Sequence, residues 1–181
     1  MSATPESRVA NPEQLIADLQ RQLAEREAEL AEALQRETAT GEVLQVINSS
    51  PGDLAPVFEA ILEKAHALCG AANGGLLIRD GEGFRIAAFH GAPSILEIWR
   101  QTHPGRLPEG SPIARIVAGE RIVHFTDTLA DESYRTAPVP IQRLLEAGAI
   151  RTVLMVPLRK DAILLGVITA FRQEVRPFTE K

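Results

Sequence analysis

A chain of 181 residues with 45% hydrophobic and 24% charged composition can bury the core of one domain of common size and carry an appendage, but a second full domain does not fit. The net charge of −5 is uneven: Asn11 to Thr38 holds seven acidic residues against three arginines, a net −4, and the near-neutral remainder with no basic run excludes an electrostatic footprint for nucleic acid. No apolar run approaches the roughly 18 residues of a spanning helix, Met1 to Asn11 lacks the apolar stretch of a signal peptide, and the single cysteine, Cys69, excludes an internal disulfide, so a cytoplasmic protein or piece of one is expected.

Residues 1–12 are polar, carry two prolines and read as a disordered lead-in. From residue 13 to 47 no proline occurs, and Ile16, Leu19, Leu23, Leu30, Ala33, Leu44 and Ile47 recur on alternating three- and four-residue steps. This heptad seam predicts a coiled-coil helix and a parallel homodimer; a solvated amphipathic helix lying on its own domain is the other reading. The seam is imperfect, because Arg26, Glu37 and Thr40 occupy its positions and Gly41 weakens the helix by roughly 1 kcal/mol relative to alanine. Such a coil suits an element that shifts.

Asn48-Ser-Ser-Pro-Gly52 breaks the helix, and Asp53 is placed to cap the next one by accepting from the amides two and three residues on. That second helix runs to Leu68 with Leu54, Val57, Phe58, Ile61, Leu62, Ala65 and Leu68 as its buried stripe, and Gly70 suits the left-handed position past its end. Strands over 75–80 and 84–90 form a first hairpin. A helix over 94–102, a loop over 103–110, and a short helix opened by Ser111 as cap and Pro112 follow. Arg121 to Phe125 is a third strand, Asp127 to Pro140 a polar loop, and Pro140 to Ala147 a helix. Arg151 to Leu158 and Ile163 to Phe171, apolar almost throughout, form the central hairpin, with both faces expected under protein cover.

The residues inside this order resemble the GAF domain of bacterial sensor kinases, nucleotide cyclases and phosphodiesterases. Asp53 to Gly70 is similar to that family's first helix, Gly110 to Val117 to its mid-domain helix start, Ala147 to Leu158 to its central strand and Leu165-Gly166-Val167 to the return strand. The resemblance covers roughly residues 40–181. It implies an α+β fold, related to the PAS architecture. An antiparallel sheet of about five strands, in the order 2-1-5-4-3, has the first and closing helices on one face and a helical and loop excursion over the other. Residues 48–181 would then be the sensory domain, with its closing helix cut short near Val175 to Lys181, and the chain a fragment whose output domain, of histidine-kinase type, lies in cis.

The resemblance also places a small-molecule cavity beneath the excursion. Phe89, Trp99, His103, Phe125, Tyr134, Arg135, Ile141, Leu144 and Met155 are the residues that topology puts around it, though each is also a candidate for plain core packing. The ligand itself is left unknown. The Asn-Lys-Phe-Asp-Glu signature of the family's cyclic-nucleotide binders is absent, and Pro138 to Arg143 stands where bilin-binding relatives carry their attachment cysteine. His103 beside Trp99 is the axial-ligand candidate if a haem were bound. Cys69 falls on the far side of the sheet and reads as a small buried hydrophobe. His66, His90, His103 and His124 lack metal-site spacing, and Asp127, Asp131 and Glu132 read as a solvated loop before a metal site. No serine or cysteine has a nucleophile's setting, so the chain is read as a sensor, with a ligand-free dimerisation spacer as the alternative.

Overall fold

The computed structural model describes residues 12–49, 53–102 and 110–179. The expected lead-in up to residue 11, the helix break at 50–52 and the loop at 103–109, with His103, lie outside the described residues. The chain divides into two units, one ending at Gly41 and the other beginning at Glu42.

Helix α1 (Pro12–Ser49) passes through Gly41 without interruption. In the first unit Ile16, Leu19, Leu23 and Leu30 of the seam are exposed, Leu30 at 71%, as are Leu15 and Leu34 beside them. Ala33 is exposed as well. The charged residues pair along the helix surface, Arg21 with Asp18, Arg26 with Glu29 at 2.7 Å and Arg36 with Glu32 at 2.7 Å. Arg26 is therefore held on the surface of its own helix. Thr40 donates its hydroxyl to the Arg36 carbonyl at 2.8 Å, which satisfies a polar seam residue within the helix.

The second unit begins with the last turns of α1, where Leu44 and Ile47 are exposed and Glu42 pairs with Lys64 of helix α2 (Ala55–Cys69). Asp53 accepts from Ala55 at 3.0 Å, but the expected second cap bond cannot form, because Pro56 has no N–H to give. The helix accordingly starts at Ala55 with Leu54 in the cap position, one residue late. At its other end Gly70 adopts φ +62°, a conformation open to glycine at little cost, and ends the helix as expected.

Five antiparallel strands follow the order β2-β1-β5-β4-β3: β1 (Asn73–Asp80), β2 (Gly83–His90), β3 (Val123–Phe125), β4 (Thr152–Lys160) and β5 (Ile163–Arg172). Alternation along each strand sorts side chains to two faces. On one face Leu62 of α2 meets Leu76, Ala88, Ile168 and Leu158. On the other, Leu77, Val153, Val167 and Phe171 form the larger core with the excursion, which consists of α3 (Pro93–Thr102), α4 (Pro112–Val117), α5 (Glu132–Thr136) and α6 (Val139–Ala147).

Three expectations need correction. Strand β3 forms only over Val123–Phe125, and Arg121 and Ile122 before it are exposed. The loop from Asp127 contains a helical turn, α5, because Asp131 accepts from Ser133 at 2.9 Å and caps it. β4 is buried only at Thr152 and Val153 and half-buried on both faces from Leu154 to Leu158: α2 lies over β1 and β2, and residues 173–179, which carry no helix, supply only a thin strap beside β3 and β4. That strap is held at Arg172, which donates to Cys69 O at 2.8 Å and Arg176 O at 2.6 Å, stacks its guanidinium 4.0 Å over the Phe178 ring, and leaves Phe178 N donating to His124 Nε2 at 3.2 Å.

Candidate functional site: an apolar cavity beneath the excursion

The floor of the site comes from the sheet and its roof from helices too short to stand alone. Val153, Met155, Thr169 and Phe171 project upward from β4 and β5, and Phe125 from β3. Trp99 of α3 reaches the floor over Gly75, where a Cβ would stand 2.8 Å from two ring atoms, so a bare backbone at this point of β1 seats the indole. Between floor and roof remains a cavity of about 70 Å³.

Six of the residues placed by topology line this space: Trp99, Phe125, Tyr134, Ile141, Leu144 and Met155. Phe89 does not. It stands edge-on to Trp99 with ring centroids 5.6 Å apart and supports the wall from behind. Arg135 points to solvent on the outside of α5.

The roof is fixed by polar contacts at its edges. Asp127 clamps Arg151 through two bonds of 2.9 and 2.8 Å, and the guanidinium holds its carboxyl below the usual range. Asp131 spends its carboxylate on Ser133 and is likewise lowered, chiefly by that side-chain bond. The acidic loop is thus a brace, and no metal-holding cluster occurs among the described residues. Gln142 donates to Ala137 O at 3.0 Å, Tyr134 to Glu146 at 3.1 Å and Gln173 to Gly148 O at 2.9 Å, tying α5 and α6 to each other and to the sheet.

Ser111, Thr128 and Thr169 are polar wall residues that sequence reading missed. Thr128 donates to Ile150 O at 2.6 Å, and Thr169 Oγ1 both accepts from Gly75 N at 2.9 Å and donates to Gly75 O at 3.1 Å. Thr169 was legible as the one polar side chain in the apolar β5 run. Ser111 was read as a cap, but its hydroxyl makes no bond to α4; it is 1% exposed, in the wall, and without a hydrogen-bond partner. Among the described residues no lining residue carries a charge. The volume also falls well short of the roughly 300 Å³ at which pockets for drug-sized or cofactor-sized ligands begin.

Across the sheet, His66 is buried and its Nε2–H donates to Thr169 O at 3.1 Å. Burial pushes its pKa down against the opposing effect of that bond, and His90, ring centroid 5.3 Å away, lowers it further. Cys69 lies on this same α2 side, half-buried, where burial raises its thiol pKa.

A family model for the GAF domain matches residues 53–181. Among solved structures, the chain is similar to the GAF domain of a phosphoenolpyruvate-protein phosphotransferase from Coxiella burnetii (20% identity, TM-score 0.59, covering 82% of this chain and 83% of that one). A domain of a protein assigned as a two-component sensor histidine kinase from Sinorhizobium meliloti 1021 matches at 15% identity and TM-score 0.56, covering 71% and 79%. The GAF domain of a protein assigned as a sensor histidine kinase from Pseudomonas syringae pv. tomato matches at 14% identity and TM-score 0.54, covering 87% and 80%. No curated protein matches the chain. With the family match spanning well over half of its residues and the five-stranded order in place, the chain belongs to the GAF domain family.

Proposed function

We propose that this chain is a regulatory, small-molecule-sensing module, which passes the state of its cavity to the arrangement of helices in a homodimer and so to an output domain in cis of histidine-kinase type. The double role of β5 carries the reading. Thr169 and Phe171 face the cavity, while the Thr169 carbonyl accepts from His66 of α2, and Arg172 at the strand end binds both the α2 terminus and the strap beyond it. A ligand that displaces β5 by a fraction of an ångström therefore moves the end of α2 and the chain beyond β5 together.

Such a ligand biases an equilibrium only as far as it prefers one arrangement. The seam along Ile16, Leu19, Leu23, Leu30, Ala33, Leu44 and Ile47, interrupted at Glu37 and Thr40, fits a weakly held dimer with accessible alternatives. The sensor-kinase setting of two structurally similar domains supports the output assignment. The small cavity favours a second reading, a ligand-free dimerisation spacer.

Native mass spectrometry with an absorption spectrum on the purified protein separates the two. A dimer carrying reproducible extra mass is expected for the sensor; a dimer of bare mass that no added small molecule changes establishes the spacer, and a bare monomer removes the coil from both.

A further inference from the structure

Resting on the sensory reading, the polar inventory of the wall narrows the ligand to one chemical class. Thr128 and Thr169 spend their hydroxyls on backbone groups, Ser133 donates to Asp131, and Tyr134 donates to Glu146. Ser111 is different. Its carbonyl starts α4 by accepting from Ala114 at 2.9 Å, but its hydroxyl, almost wholly buried, has no hydrogen-bond partner among the described residues. A buried hydroxyl left unpaired is destabilising, and an acceptor on an occupant of the cavity would remove that penalty. Among the described residues no charged side chain lines the space to neutralise an ionic ligand, whose desolvation would then go uncompensated.

Size sets the other limit. A volume of about 70 Å³ is roughly half that of an apolar cavity able to hold benzene. Scaled from the six heavy atoms of benzene, or at about 15 Å³ for each water-sized sphere, it seats about three to five heavy atoms. We propose that the cavity binds a small, neutral, mostly apolar molecule of about three to five heavy atoms bearing one hydrogen-bond acceptor, a short ketone or aldehyde by type, with the Ser111 hydroxyl donating to that acceptor.

The chain has two methionines, Met1 and Met155, and Met155 lies in the cavity wall, so a methyl-¹³C-methionine spectrum of the full chain reports the site directly. Butanone and its hydrocarbon isostere 2-methyl-1-butene are titrated into the parent, Ser111→Ala and Ala137→Leu. Saturable shifts of the Met155 methyl are expected from both probes. Ser111→Ala should weaken butanone about two- to tenfold and leave the hydrocarbon unchanged. Ala137→Leu, which fills the space, should abolish both.

Equal weakening of both probes, or none, would overturn the Ser111 assignment while leaving the sensor standing. A saturable Met155 shift from cyclic GMP or glutamate without one from butanone would overturn the ligand class alone. Silence of Met155 to every probe would overturn both the class and the sensory reading. Because Ser111→Ala removes a hydroxyl that bonds nothing, its Tm should equal or exceed the parent's, which keeps the comparison between folded proteins.

Discussion

Gly75 and Trp99 fit together only because one of them has no side chain: a Cβ on Gly75 would come within 2.8 Å of both Cη2 and Cζ3 of the indole. The contact sets the height of α3 above the sheet and with it the depth of the cavity. Gly75→Ala should displace the ring and destabilise the fold by about 1–3 kcal/mol, the usual range for overpacking a core. Trp99 is the chain's single tryptophan, so its emission should move to the red in step with the fall in Tm. An unmoved spectrum would mean that the ring does not rest on β1.

The Asp127–Arg151 clamp predicts an acid-limb effect. Because the folded state depresses the Asp127 pKa, chiefly through the Arg151 bond, its stabilisation is present above the unfolded value near 3.8 and lost as pH falls through the lower folded value. Tm of Asp127→Asn should lie below the parent's at pH 6, and the two curves should converge only as pH falls below the depressed folded value. Parallel curves would show that the clamp contributes nothing to folding.

His66 works in the opposite part of the scale. Burial lowers its folded pKa below the ordinary value of 6.5, so the unfolded chain binds the proton more readily and stability rises with pH between the two values. The parent should therefore lose stability on acidification from about pH 6.5 downward. His66→Gln, whose amide can still donate to Thr169 O, should flatten that slope in thermal melts taken across the same range.

Arg172 joins the α2 terminus to the strap after β5 through carbonyls on both sides. Arg172→Met keeps the apolar stem of the side chain and removes its donors, which should cost about 2 kcal/mol for buried charged hydrogen bonds. The Phe178 amide, held by His124 Nε2, should then exchange with solvent faster, while amides in the middle of β5 keep their protection. Uniform acceleration would point to global loosening.

For the seam, Glu37→Leu with Thr40→Leu restores an uninterrupted apolar repeat from Leu30 to Ile47. Sedimentation equilibrium should show a tighter dimer than the parent's, and in a protein carrying the output domain the ligand response should be blunted. A monomer in both proteins would remove α1 as the dimer contact.

Much of this architecture was legible before any coordinate, because it follows from local pattern. β4 and β5 are near-continuous apolar runs, and α1 and α2 repeat their apolar residues at helical spacing, so strands and helices could be read from neighbours in sequence, whereas the sheet order came through the resemblance to the GAF family. The cavity wall was only half legible. Trp99, Phe125 and Met155 are large and apolar, and topology places them, whereas Phe89 and Arg135 obey the same pattern yet end behind the wall and in solvent. Ser111 was misread because cap position predicts a hydrogen bond that only the rotamer and the packing of α4 can grant or refuse. Asp131 and Asp127 looked like a solvated loop, since nothing local reveals that Arg151, 24 residues from Asp127, completes a clamp.

The sequence by itself therefore determined the elements and their order along the chain, because those depend on periodicity and on backbone preferences within a few residues. Only the tertiary structure decided that the space beneath the excursion is small, uncharged and furnished with one unspent hydroxyl. Void volume and hydrogen-bond satisfaction are differences among many packed, distant groups, and no single stretch of chain contains them.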